Sequence, residues 1–152
     1  MRKMVVVLLA AALLMVPLMA AADETADLKK TIFMTQMKLV VTENMIFTSE
    51  EAAKFWPLFE KHQEKIFANS KQSGDLISAY ISVYKTMTEV EALVLIDDYL
   101  EIQAEHVAII KEFAVELKLV LPGQKVFRYL QIENHLDARA RFEIAKRLPL
   151  AQ

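Results

Sequence analysis

The stretch that most constrains the fold is residues 47–121, in which one helix-start pattern occurs twice. Thr48 is followed three residues later by Glu51, and Thr88 is followed in the same way by Glu91. In such a capping box the threonine hydroxyl accepts a hydrogen bond from the backbone N–H three residues on, and the glutamate accepts one from the threonine N–H. The pattern predicts that a helix begins directly after each threonine.

Apolar side chains recur at steps of three and four residues through both predicted helices, which is the spacing of one helix face. In the second helix Leu93, Leu100 and Val107 belong to one such stripe, and a second apolar stripe lies beside it. Together they cover about half the circumference, more than the roughly 100° that a surface helix needs. The connection at residues 86–88 is short, so the two helices are predicted to form an antiparallel hairpin. The wide apolar arc predicts that another helix or subunit also covers the second helix.

The first helix of the hairpin is predicted to be continuous through its polar middle, residues 69–75. The apolar spacing keeps its phase across this segment, although Gly74 costs about 1 kcal/mol relative to alanine. Pro57 removes a backbone donor inside the helix and is expected to kink it.

Residues 1–22 have the three parts of a secretory signal. They begin with a positive charge, continue with an apolar core at residues 5–16, and end with small residues suited to cleavage. An uncleaved membrane anchor is the alternative, since residues 4–22 are apolar and a membrane span needs about 20 residues. We expect cleavage near Ala22 and a periplasmic mature protein.

Residues 23–152 have the length of one domain, which we predict to be an all-α fold of four helices. The chain contains only 2 glycines and 4 prolines, fewer turn-forming residues than a strand-rich fold needs. It contains no cysteine, so stability must come from packing or oligomerisation rather than from disulfides. The first helix is predicted at residues 23–45 and the last at residues 123–147, with Pro122 as its first helical residue and Pro149 beyond its end.

The first helix carries the candidate client-binding residues. Its apolar side is rich in methionine, and such faces adapt to many partners. A soft metal such as Cu(I) is a second hypothesis for Met34 and Met37, but methionine as adaptable apolar filler is the favoured interpretation of the pair. The candidate set consists of Ile32, Phe33, Met34 and Met37.

The last helix mixes apolar with hydrogen-bonding side chains. Gln131, Glu133 and Asn134 are candidates for polar contacts that tie helices together or set the register of a dimer. An ordinary solvated face is an equally good interpretation of this segment.

Charge is distributed unevenly along the chain. Residues 23–121 contain 17 acidic and 10 basic residues, whereas residues 122–152 contain 3 acidic and 6 basic residues. We therefore expect the basic last helix to lie across the acidic hairpin, in the same or in a partner subunit. The acidic total and the export signal argue against nucleic-acid binding.

No metal-ligand or catalytic pattern stands out. His62, His106 and His135 lack the His-x-x-x-His and Glu-x-x-His spacings of a metal site on one helix face. We interpret them as hydrogen-bonded inside helical interfaces, with a site assembled from several helices as the alternative. We predict no metal and no cofactor.

Four carboxylates of the second hairpin helix form an acidic line, which is better explained as a solvated face than as an acid–base pair. The chain has no cysteine nucleophile, no glycine-rich phosphate loop and no nucleophile elbow. We therefore do not expect an enzyme. The acidic line consists of Asp97, Asp98, Glu101 and Glu105.

The two helix starts, FTSEE at residues 47–51 and MTEVE at residues 87–91, resemble the Leu-Thr-x-x-Gln motif of the Spy and CpxP family of small periplasmic stress proteins, with glutamate in place of glutamine. LPGQ at residues 121–124 resembles it more loosely. EAAKFWP at residues 51–57 and QIEN at residues 131–134 look like a divergent, uncharacterised branch of that family. The resemblance implies a four-helix chain that pairs into a curved dimer.

The family includes ATP-independent chaperones and inhibitors of envelope stress sensing, and relatives bind zinc, nickel or cobalt. The resemblance therefore implies a periplasmic chaperone or envelope-stress binding protein that acts through apolar helical surfaces. A metal-binding or metal-sensing protein and an adaptor or inhibitor of an envelope sensor are the alternatives. The expected partners are unfolded or partly folded envelope proteins, or one dedicated periplasmic protein, together with a second copy of the chain.

Overall fold

The structure is a computed structural model that describes residue 28 and residues 30–151. These residues contain helices and no strand, so the predicted all-α fold is confirmed. The predicted signal at residues 1–22 lies outside the described residues. The helices are α1 at residue 28 and residues 30–44, α2 at Ser49–Val83, α3 at Glu89–Leu117 and α4 at Gly123–Ala145.

The described residues fall into two compact units, and the division in the chain lies between Glu43 and Asn44. All of α1 except its last residue belongs to the first unit. The second unit holds α2, α3 and α4, in which α2 packs along α3, and α4 contacts both. The α2–α3 pair is the predicted antiparallel hairpin, joined by a short turn after Val83.

Both capping boxes are present where the hairpin helices begin. The Thr48 hydroxyl accepts from Glu51 N–H at 3.2 Å, and Glu51 accepts from Thr48 N–H at 2.8 Å. Thr88 and Glu91 repeat this arrangement at 3.3 Å and 2.8 Å. Each box satisfies backbone donors that a helix start leaves without a partner inside the helix.

The predicted continuity of α2 is confirmed, since one helix of 35 residues runs through Pro57 and Gly74. Its polar middle is tied to α3 by Asn69, which is buried and donates to the Ile102 carbonyl at 3.0 Å. Gly74 meets no neighbouring atom, so an added side chain would have open space there. The polar segment therefore marks a contact between helices rather than a break in α2.

The last helix is shorter than predicted. It begins at Gly123, with Pro122 as the N-cap rather than as the first helical residue, and it ends at Ala145, two residues before the predicted end. A turn follows at residues 146–147. The segment beyond it returns to α2, because the Tyr80 hydroxyl donates to the Pro149 carbonyl at 2.7 Å.

Candidate functional site

An aromatic cluster fills the junction of α2, α3 and α4. Phe55 and Phe59 from α2, Phe113 from α3 and Tyr129 from α4 are all fully buried. The Tyr129 ring centroid lies 5.5 Å from that of Phe55 and 5.2 Å from that of Phe113, both near edge-to-face. These distances lie in the range in which aromatic pairs attract, so the cluster forms the core of the second unit.

A buried histidine–carboxylate pair adjoins this cluster. His62 Nε2 of α2 lies 2.6 Å from Glu133 Oε1 of α4, and both side chains are buried. The imidazole ring stacks on Phe113 of α3, with ring centroids 4.0 Å apart and planes within 8° of parallel. One side chain, His62, therefore contacts all three helices of the unit.

Two further side chains complete the polar cluster, which we define as His62, Gln63, Tyr129 and Glu133. Gln63 Nε2 donates to the Tyr129 hydroxyl and to Glu133 Oε1, each at 3.3 Å. The Tyr129 hydroxyl in turn donates to Glu133 Oε1 at 3.2 Å. A single carboxylate oxygen thus accepts three hydrogen bonds, which is how a charge becomes tolerable in an apolar core.

The environment of Tyr129 keeps its phenol protonated. Burial, together with the negative charge of Glu133, holds the pKa of Tyr129 well above its usual value of 10.0. The phenol is therefore a hydrogen-bond donor at physiological pH. It is not an anion available to act as a nucleophile or base.

Three polar atoms of the cluster, His62 Nδ1, Gln63 Oε1 and Glu133 Oε2, have no hydrogen-bond partner within the described part of the chain. Beside His62 the surface carries two ion pairs that join α2 to α3, Lys61 with Glu116 at 2.7 Å and Lys65 with Glu112 at 2.6 Å. The arrangement ties helices together.

The other two histidines lie apart from the polar cluster. His106 Nε2 is 3.7 Å from Asp137 Oδ2, and His135 is exposed. No group of three or more histidine, aspartate and glutamate side chains is placed to hold a metal ion within residues 28 and 30–151.

The predicted polar contacts of α4 divide into two kinds. Glu133 reaches across to α2, whereas Gln131 and Asn134 are exposed. Gln63 and Tyr129 were not singled out from the sequence. The i, i+4 spacing of Tyr129 and Glu133 was the available signal, since it places both side chains on one face of α4.

The candidate client-binding residues of α1 also differ among themselves. Ile32 and Phe33 are exposed, Met34 is half-buried, and Met37 is buried together with Val41. At 100° per residue, Leu28, Ile32 and Leu39 share one side of α1, opposite Met37 and Val41. All three are exposed, and we call this side the α1 face.

A second exposed apolar surface lies on α3. Its buried side is formed by Ile102, Ile109 and Phe113, whereas Leu93, Leu100 and Val107 are exposed by 54%, 58% and 63%. The stripe that contains Leu93, Leu100 and Val107 is therefore left partly uncovered by the described residues.

None of the helices in the described residues has both the length and the apolar character that a membrane span requires. Comparison with protein-family models, curated proteins and solved structures finds no match to this chain.

Proposed function

We propose that the protein is an exported, ATP-independent holding protein that binds unfolded or partly folded envelope proteins on exposed apolar helix faces. The observation that carries the proposal is the α1 face, on which Leu28, Ile32 and Leu39 are all large, aliphatic and exposed. Large apolar patches left exposed on a protein mark binding sites, and these three exposed side chains share one side of the helix. The export signal in residues 1–22 supports the periplasmic location.

The binding mechanism needs no nucleotide, because affinity comes from burying client side chains against the α1 face. Burial contributes about 25 cal/mol per Å² before the entropic costs of association are subtracted. An unfolded client loses conformational entropy when it binds, and this cost offsets much of the free energy gained by burial. Binding is therefore weak, reversible and tolerant of the client's sequence. A client can therefore leave without an energy-consuming step.

Charge adds a preference among clients. The segment up to Leu121 is rich in acidic residues, and Asp97, Asp98 and Glu101 are exposed along α3. Basic clients are favoured by this field, and the preference weakens as salt rises because exposed charges are screened.

The test measures suppression of aggregation of a chemically unfolded basic model protein, without nucleotide, by protein purified from cells that express the full chain. Ile32→Ser is compared with Ile81→Ser, because Ile32 on α1 and Ile81 on α2 are both 50% exposed. Loss of one half-exposed isoleucine removes about 1 kcal/mol of binding, or roughly fivefold in affinity, if the client covers it. We expect this loss for Ile32→Ser alone.

Two results would count against the proposal in different ways. If the parent protein does not suppress aggregation, a dedicated partner such as an envelope sensor becomes the better hypothesis. Equal effects of Ile32→Ser and Ile81→Ser would exclude the α1 face as the client surface. Unchanged helical signal in circular dichroism is required of both variants, because a folding defect would mimic lost binding.

A further inference from the structure

One side of α4 combines aromatic with basic side chains. Phe127 and Phe142 are 63% and 64% exposed, and two exposed arginines lie beside them. At 100° per residue these side chains fall within an arc of about 120°, opposite the buried Tyr129 and Glu133. We call this arc the α4 face, and it consists of Phe127, Arg128, Gln131, His135, Arg139 and Phe142.

The α4 face contains no carboxylate, although residues 122–152 include three. Glu133 is buried in the polar cluster. Asp137 is turned toward α3, where its Oδ2 lies 3.7 Å from His106 Nε2, and Glu143 is paired with Lys146 at 2.8 Å. The charged groups of the α4 face are therefore all basic.

The acidic hairpin does not neutralise the arginines of the α4 face. Lys125, in the first turn of α4, pairs with Glu51 of α2. Arg128 and Arg139 have no ion-pair partner within residues 28 and 30–151. The contact that the charge distribution predicts between α4 and the hairpin thus occurs at Lys125 and not at these two arginines, whose charge is available to an anionic partner.

A partner that covers the α4 face must be anionic and must also accept two phenyl rings. The rings are 15 residues apart, about 22 Å along the helix axis, so the partner must offer an extended surface. An anionic lipid bilayer has both properties, since its phosphates attract arginine and its headgroup boundary accepts aromatic side chains. The outer side of a single helix is convex, and lipid headgroups can move to fit it.

The charge of the hairpin favours the same orientation on such a surface. The α4 face points away from α2 and α3, and the carboxylates of Asp97, Asp98 and Glu101 are exposed on α3. An anionic surface attracts the α4 face and repels these carboxylates. The electrostatic field therefore turns α4 toward the lipid.

We propose that the α4 face binds the surface of an anionic lipid bilayer. Arg128 and Arg139 contact lipid phosphates, and Phe127 and Phe142 enter the boundary between headgroups and acyl chains. Helix α4 lies parallel to the bilayer plane and does not cross it. The proposal goes beyond client binding and does not depend on it, because binding to vesicles is measured without a client.

The test is co-sedimentation of protein, purified from cells that express the full chain, with lipid vesicles. One kind of vesicle is pure phosphatidylcholine, and the other contains equal parts of phosphatidylcholine and phosphatidylglycerol. We expect at least about tenfold stronger binding to the mixed vesicles, and weaker binding as salt rises, because exposed charges are screened. An uncleaved apolar anchor in residues 1–22 would instead hold the protein on both kinds of vesicle.

Arg128→Gln and Arg139→Gln should each weaken binding to the mixed vesicles about fivefold, because each removes one cation that lies near the lipid surface. Lys111→Gln is the matched control. It removes one exposed cation from α3 and should leave the affinity within about twofold of the parent's.

Phe142→Ser should also weaken binding about fivefold, because its exposed ring is no longer available for burial among the lipids. Leu100→Ser is its control, since it removes an apolar side chain that is 58% exposed on α3, and it should not change the affinity. The helical signal in circular dichroism is compared for all variants, so that a folding defect is not counted as lost binding.

The proposal is overturned if the parent binds neither kind of vesicle, if it binds both kinds equally, or if Lys111→Gln and Leu100→Ser weaken binding as much as the variants of the α4 face. Binding to polyglutamate without binding to the mixed vesicles would also overturn it, and would assign the α4 face to an acidic protein.

Discussion

Glu133 Oε1 accepts hydrogen bonds from three side chains at the junction of α2 and α4, namely Gln63, Tyr129 and His62. A carboxylate in a buried position is stable only while such donors compensate for its lost hydration. Removing Glu133 alone leaves three side chains without their acceptor, whereas removing His62 as well leaves only Gln63 and Tyr129 without it. The contribution of the polar cluster to the free energy of unfolding can therefore be measured by comparing a single with a paired substitution.

We predict that Glu133→Leu lowers the free energy of unfolding by roughly 3–5 kcal/mol, the usual cost of breaking a buried pair from one side. Adding His62→Phe should recover part of that loss, because the imidazole would otherwise keep an uncompensated polar nitrogen against Phe113. Urea titration of both variants measures these values.

Glu143→Leu is the control, since Glu143 pairs with Lys146 at the surface, where such pairs contribute up to about 1 kcal/mol. If Glu133→Leu costs no more than Glu143→Leu, the polar cluster does not tie the helices together.

At the scale of elements, each hairpin helix depends on its first turn. The boxes of Thr48 and Thr88 satisfy local backbone donors, and the Glu51 carboxylate additionally accepts from Lys125 of α4 at 2.5 Å. The start of α2 is thus tied to α4, whereas the Glu91 carboxylate of the α3 box accepts from Thr88 of the same box.

We predict that Thr48→Ala and Thr88→Ala each lower the free energy of unfolding by about 1 kcal/mol, because each removes an N-cap acceptor. Thr86→Ala is the matched control. It lies in the turn, is exposed, and should stay within about 0.5 kcal/mol of the parent. The denaturant midpoints of the three variants, compared at equal m-values, measure these changes in stability. If Thr48→Ala and Thr88→Ala are both neutral, capping does not limit the stability of the hairpin.

The exposed apolar sides of α1 and α3 differ in length and in charge. Both helices have apolar residues on opposite sides, so neither hides all of them against one neighbour. On α1 the exposed side is a short aliphatic face, whereas on α3 the exposed Leu93, Leu100 and Val107 lie beside exposed carboxylates such as Asp97. A short, uncharged face suits varied clients.

For the whole molecule, carboxylates with lowered pKa values determine how stability responds to acid. A hydrogen bond from Lys125 and then one from the Thr48 N–H lower the pKa of Glu51 below its usual 4.5. The hydrogen bond from Lys65 lowers the pKa of Glu112 in the same direction. A carboxylate with a lower pKa in the folded state stabilises the fold above its unfolded pKa, and that contribution disappears as pH falls through the folded value.

We therefore predict that the urea midpoint is constant between about pH 7 and pH 5 and falls below about pH 4.5. Lys125→Met should flatten this acid dependence, because the cation that lowers the pKa of Glu51 is gone. Lys71→Met removes a cation paired with Asp75 within α2 and serves as the control. If the urea midpoint of Lys125→Met falls with pH as the parent's does, carboxylates other than Glu51 cause the loss of stability in acid.

The sequence by itself determined where the hairpin helices begin, that α2 is continuous, and that the fold is all-α. These features depend on residues within about four positions of one another: a threonine with its glutamate, or apolar side chains at helical spacing. Such short-range interactions recur in any context, so they can be read without knowing how the helices pack.

Only the tertiary structure decided which predicted surface residues are buried and which polar residues meet. His62 and Glu133 are 71 positions apart, and nothing local pairs them. Met37 is buried and Ile32 exposed, although both are apolar residues of the same helix. Helical periodicity indicates which residues share a side of a helix. The packing of the other elements decides which side is covered, because burial depends on atoms contributed from elsewhere in the chain.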